Sequence, residues 1–186
     1  MRVLIAIILS VTCLFGCASS DGGVSNALHL REQMSKGCGY TFAAAVTADY
    51  GDRLYSFTMD CTAKPDGTVE FVIAEPESIS GIKGSVSQSG GKLWFEDTVL
   101  LFESLTSNQI TPAIGPYLMV KAIQGGYIRS SFDKENLSEI KIDDSFRSEA
   151  YQVILTLDDN SLPTLCEIFS DNRRILMISV KNFEPL

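Results

Sequence analysis

The sequence predicts an α+β fold: a strongly curved antiparallel half-barrel sheet with two helices packed in its concave side. Three observations lead there. From residue 38 onward, apolar and polar residues alternate in run after run, and Gly, Pro, Asp and Asn punctuate the gaps. About nine or ten such runs follow one another, more than a single open layer holds without curling. Two segments alone have helical spacing, too few to cover a flat sheet, so the sheet buries its apolar face by wrapping around them.

The chain opens with a different signal. Arg2 is the first and only charge before Asp21, and Val3–Phe15 is apolar apart from Ser10 and Thr12. A bilayer-spanning helix needs about 20 apolar residues. The run instead matches the apolar core of a secretory signal, about 7–15 residues. Its end, Leu14-Phe15-Gly16-Cys17, resembles the lipobox of bacterial lipoproteins: an aliphatic residue, a small residue before the cut, then cysteine. The resemblance implies that Cys17 is the lipid-attachment residue, its thiol taking a diacylglyceryl group. Residues 1–16 are then a lipoprotein signal peptide, 17–26 a flexible tether and 27–186 a single half-barrel domain. The tether, "CASSDGGVSN", is small and polar. The protein is expected to be exported and held in the cell envelope by lipid, in a membrane that the sequence does not specify.

Processing leaves about 170 residues, enough for one domain with a proper core. Loss of Arg2 makes the formal charge of −8 one unit more negative, which argues against a nucleic-acid partner or an anionic-membrane binding face. Of the five cysteines, Cys13 leaves with the signal and Cys17 goes to lipid. Cys38, Cys61 and Cys166 remain, so one disulfide and one spare thiol are expected of an exported chain.

The body begins with "VSNALHLREQMSK" (24–36), a short amphipathic helix stopped by Gly37. "CGYTFAAAVTADY" and "RLYSFTMDCTA" then flank Tyr50-Gly51 and predict a hairpin. The expected pairs are Tyr40 with Cys61, Phe42 with Met59, Ala44 with Phe57 and Val46 with Tyr55. In that register Cys38 lies one diagonal step from Cys61 on the same face, which predicts a Cys38–Cys61 disulfide. "KPDG" (64–67) is a turn into "TVEFVIA", with Cys61 facing Val69, Met59 facing Phe71 and Phe57 facing Ile73.

"PESISGIKG" (76–84) is a punctuated crossing. "SVSQSGGKLWFED" predicts a hairpin turning on Gly90-Gly91, with Val86 opposite Phe95 and "TVLLF" continuing the same strand. A second helix is expected from about 115 to 124, opened by Pro116, ended by Gly125-Gly126 and apolar nearly all round. "YIRSSF", "LSEIKID", "AYQVILTLD", "LPTLCEIFS" and "RRILMISVKNF" supply the remaining strands.

This order of a helix, "YTFAAAVTADY", "YSFTMDC", "PDGTVEFVIAEPESISGI", "GGKLWFEDTVLLF" and a central helix resembles the bacterial lipoprotein-carrier and outer-membrane lipoprotein-receptor (LolA/LolB-like) superfamily of envelope lipoproteins. The resemblance implies a half-barrel closed by helices, with an interior that binds acyl chains. Cys38 and Cys61 depart from the pattern. The receptor's exposed loop leucine has no identified counterpart; "SISGI" offers Ile79 and Ile82 in a comparable crossing.

Tyr40, Phe42, Tyr55, Phe57, Met59, Phe71 and Phe95 fall on the predicted concave face. Two readings of this set stay open: a filled core, or the lining of an apolar cavity where packing against the helices is incomplete. Motifs for chemistry are missing. His29 is the sole histidine and sits on the first helix; there is no G-x-S-x-G elbow, CxxC, HExxH or DxDxDG loop. Asp143-Asp144 and Asp158-Asp159 read as turn acids, and Cys166, beside Leu165, Ile168 and Phe169, as an inert strand residue. The expectation is a monomeric, cofactor-free, metal-free, non-enzymatic lipoprotein. It binds a hydrophobic ligand or another lipoprotein, or else serves as a structural or interaction protein with a filled interior.

Overall fold

The computed structural model describes residues 22–102, 110–134, 136–145 and 151–186. The expected signal peptide, Cys17 and the first residues of the tether lie outside them. Helix α1 spans Gly22–Ser35, so the last five residues of the expected tether are helical. Six strands follow: β1 (Tyr40–Asp49), β2 (Leu54–Ala63), β3 (Val69–Glu75), β4 (Lys83–Ser87), β5 (Gly90–Phe95) and β6 (Thr98–Phe102). Helix α2 spans Gly115–Gly125. It is followed by β7 (Tyr127–Lys134), β8 (Leu137–Asp143), β9 (Gln152–Leu157), β10 (Pro163–Ser170) and β11 (Arg173–Pro185).

All eleven strands form one antiparallel sheet in the order β6-β5-β4-β3-β2-β1-β11-β10-β9-β8-β7. Two runs of consecutive hairpins meet where β1 pairs with β11, and β6 and β7 are the edges. The architecture is therefore α+β, an open antiparallel sheet with two helices.

The alternation that predicts strands is the alternation that buries them. Phe42, Ala44, Val46 and Ala48 of β1 point inward, as do Ile140 and Ile142 of β8, Val153, Leu155 and Leu157 of β9, and Leu176 and Ile178 of β11. Helix α2 is buried nearly all round, from Gly115 to Val120 and at Ala122 and Ile123. It touches β2, β3, β9 and β11, whereas α1 packs on α2, β7 and β8. Arg31 ties the two helices together. Its Nε donates to the Ile123 carbonyl at 2.6 Å and its Nη2 to those of Gly126 at 2.7 Å and Ala122 at 3.4 Å. The Ile123 carbonyl lies in the last turn, which a helix end leaves short of intrahelical donors, and the Ala122 carbonyl also accepts the Gly126 N–H at 2.9 Å.

Several expectations are corrected. In the first hairpin Phe42 faces Cys61, Ala44 faces Met59, Val46 faces Phe57 and Ala48 faces Tyr55. The register is two residues away from the expected one because the loop has four residues, closed by Tyr50 N–H donating to the Arg53 carbonyl at 3.0 Å. Gly51 takes the left-handed backbone (φ 89) that this loop needs. The next hairpin moves in step: Cys61 faces Phe71, Met59 faces Ile73 and Ala63 faces Val69. Val86 faces Gly91, not Phe95, because the β4–β5 turn falls on Gln88-Ser89. "TVLLF" does not prolong β5. The chain reverses at Glu96-Asp97, with Glu96 at φ 50, and Phe95 pairs with Thr98. That reversal brings the strands to eleven.

The register change also removes the geometry for a Cys38–Cys61 bridge. Cys61 pairs with Phe42, four residues along from Cys38, or about 13 Å at strand spacing. A disulfide needs Cα atoms within about 7 Å. Cys38, Cys61 and Cys166 are free thiols, the first exposed and the other two buried.

Candidate functional site

Strand pairing places the aromatic set on one face. Residues directly opposite each other in an antiparallel pair share a face. One row therefore runs Phe42–Cys61–Phe71–Gly84–Leu93–Leu100 across six strands. A parallel row runs Tyr40–Ala63–Val69–Val86–Gly91–Phe102. Tyr55, Phe57 and Met59 lie on this face of β2 and Phe95 on this face of β5.

Burial falls steeply along these rows. Tyr40, Phe42, Met59 and Phe71 are buried, Phe57 is half-buried, and Tyr55 and Phe95 are 42% and 49% exposed. Leu93 is half-buried and Leu100 is 57% exposed. The cause is helix coverage. Helix α2 lies against β2 and β3 on one side and β9 and β11 on the other, whereas the inner face of β5 and β6 reaches beyond it with its leucines and phenylalanines still turned inward.

Two glycines shape the transition. The Phe71 ring lies over Gly84, where an added Cβ would sit 2.1 Å from the ring, and the Phe102 ring lies over Gly91 in the same way. Each ring fills the space of the missing side chain on the neighbouring strand. At the closed end Phe183 stacks on Tyr40 with centroids 5.0 Å apart and packs against Phe42 at 5.4 Å. Phe183, Leu93, Leu100 and Phe102 were not among the expected lining residues. The last two follow from the Glu96-Asp97 reversal, which the symmetric apolar run "LWFEDTVLL" signals. Ile79 and Ile82 of the crossing are half-buried against the core.

The groups suited to covalent chemistry are disarmed or exposed singly. Burial, reinforced by the neighbouring Asp60 charge, pushes the Cys61 thiol well above its ordinary range. Burial and Glu167 do the same to Cys166. Thiols held in this direction are poor nucleophiles, because the thiolate is the reactive form. His29 is exposed on α1, with Gln33 Nε2 3.5 Å from its Nε2. Among the described residues no three His, Cys, Asp or Glu side chains group so as to hold a metal ion. The outer face of the β3–β6 region carries a groove of about 510 Å³ floored by Ser85, Lys92, Trp94 and Leu101, open to solvent and mixed in polarity.

No family model matches the chain, and no curated protein matches it. Solved structures similar to it include an uncharacterized conserved protein from Thermus thermophilus, at 9% identity over 88% of this chain and 87% of that one, TM-score 0.49. A second is the lipoprotein LppX from Mycobacterium tuberculosis, at 11% identity over 85% of this chain and 93% of that one, TM-score 0.41. A third is a LolA superfamily protein from Nitrosomonas europaea, at 10% identity over 85% and 92% of the two chains, TM-score 0.46. The superfamily that the sequence resembles is represented among these structures by the Nitrosomonas protein.

Proposed function

We propose that this chain is a non-enzymatic envelope lipoprotein, anchored through acylated Cys17, that receives an acyl chain on the inner face of its sheet. In this reading the sheet curves around α2 and α1, so that both helices lie in its concave side. One helix touching both β3 and β9, five steps apart in the sheet order, supports the curvature. The observation that carries the function is the continuation of the apolar inner rows past α2. Phe95 and Leu100 stand half-exposed on the face whose other members, Phe71 and Val86, are 3% and 0% exposed. Apolar surface of this kind, continuous with a core, is stabilised by an apolar occupant. Buried thiols and a lone exposed histidine support the absence of catalysis.

A filled interior favours a second reading, a structural or protein-interaction lipoprotein. Leu118, Met119 and Val120 of α2 are all fully buried against the sheet and α1. Native mass spectrometry with lipid extraction separates the two. The acyl-binding reading expects a co-purified lipid and uptake of a fluorescent fatty acid, both lost in Leu100→Glu. A clean apo mass with no uptake overturns it in favour of the filled core.

A further inference from the structure

The start of α1 is fastened to the far end of the β7–β8 hairpin. The Gly23 amide donates to Asp133 Oδ2 at 3.1 Å, and Ser138 Oγ donates to Asp133 Oδ1 at 2.7 Å. Asn26 Nδ2 donates to the same Ser138 Oγ at 3.4 Å. The contact is tight: a Cβ at Gly23 would come within 2.8 Å of Asp133 Oδ1 and 2.9 Å of Ser131 Cβ.

On the opposite face of that hairpin end stand Phe132 and Leu137, 64% and 48% exposed. Phe132 pairs with Glu139 and Lys134 with Leu137, so Phe132 and Leu137 are diagonal neighbours, roughly 7–8 Å apart. They form a small apolar pair flanked on the same face by Lys134 and by the exposed Glu139.

We propose that this hairpin end is the membrane-contacting surface of the protein. Phe132 and Leu137 enter the headgroup region of a phospholipid bilayer, with Lys134 at its anionic surface. The proposal rests on the acylation of Cys17. Its argument is the shortness of the connection. Ala18–Asp21 are the only residues between Cys17 and the pinned Gly22. Fully extended they reach about 18 Å; a random-coil chain of that length averages nearer 12 Å. The headgroup layer is itself about 5–8 Å deep on each side. An acylated Cys17 therefore holds Gly22, and with it Asp133 and its neighbour Phe132, next to the lipid. The net negative charge, one unit beyond the −8 of the full chain once Arg2 is removed, opposes adhesion of the body as a whole. Contact is confined to this end and depends on the anchor.

The test uses the full acylated chain in vesicles of phosphatidylcholine and phosphatidylglycerol with brominated acyl chains, which quench nearby tryptophan. Trp94→Phe removes the single native tryptophan. Into that background go Phe132→Trp, Leu137→Trp and, as a depth control at the other end of the same strand, Tyr127→Trp. The mass of Cys17 is read in each sample. The expected result is acylated protein in which the tryptophans at 132 and 137 lose more than half of their emission and the one at 127 loses little. Acylated, vesicle-bound protein in which 132 and 137 are quenched no more than 127 overturns the hairpin surface and leaves the anchor standing. A Cys17 without lipid overturns the anchor, and the surface with it.

Discussion

The Phe71 ring lies directly over the backbone of Gly84 on the neighbouring strand, so close that a single added methyl there would stand 2.1 Å from the ring. The pair marks where the buried part of the sheet gives way to its open wing. Gly84→Ala is expected to destabilise the protein by about 1–3 kcal/mol through overpacking. The combination of Gly84→Ala with Phe71→Leu is expected to cost less than the two single changes summed, because the smaller side chain relieves the clash. Chemical denaturation of the four proteins measures the cycle; strict additivity counts against the contact.

Arg31 joins α1 to the last turn of α2 through three carbonyls. Arg31→Met keeps much of the stem and removes the donors, at an expected cost of about 1–2 kcal/mol. Arg31→Lys recovers little, because a point-like ammonium does not span three acceptors as the planar guanidinium does. A thermal melt in which the lysine variant matches the parent contradicts this account.

Three free thiols of unequal access are expected. In the folded protein Cys38 reacts with an alkylating reagent, whereas Cys61 and Cys166 react on denaturation. Peptide mass mapping after labelling without reductant checks it, and a peptide pair still joined through Cys38 and Cys61 restores the bridge.

The buried thiols also set the alkaline behaviour. Folding raises the pKa of Cys61 and Cys166, so the folded state holds protons that the unfolded state releases. The stability they contribute is fully present below the unfolded thiol pKa of about 8.5 and declines as pH climbs above it. Tyr151, pushed upward by burial and by its hydrogen bond to Asp144, adds to the decline above the ordinary tyrosine range. Each group contributes a slope of at most about 1.4 kcal/mol per pH unit. Urea midpoints between pH 8 and pH 11 are expected to fall in the parent and to fall less steeply in Cys166→Ala. Parallel curves argue against the thiol as a source.

The faces of the strands were legible in the residues, and their registers were not. The expected and observed pairings of β1 with β2 differ by two positions. An even displacement keeps every side chain on its own face. Tyr40, Phe42, Tyr55, Phe57, Met59, Phe71 and Phe95 therefore share one side of the sheet even though their partners changed. Loop length decided the register, and Asp49, whose carboxylate accepts the Gly51 amide at 2.7 Å, stabilises a loop longer than Tyr50-Gly51 suggests. The disulfide expectation depended on an exact register and failed with it. The reversal at Glu96-Asp97 is easily passed over because the apolar run continues on both sides of it, although Asp97 is a common turn residue. Phe183 could not be placed beside Tyr40 from local pattern, since nothing near either residue announces that the first strand pairs with the last.

That closing pair has a consequence for how the molecule is completed. Tyr40 meets Pro185 and Ala48 meets Leu176, so the C-terminal strand seals β1 along nearly its whole length. The local hairpins on each side assemble from near neighbours, but the seam waits for the far end of the chain. Distant pairing of this kind slows folding. A polypeptide cut before Arg173 would carry an unsealed β1, whose naked backbone invites strand-to-strand association between copies.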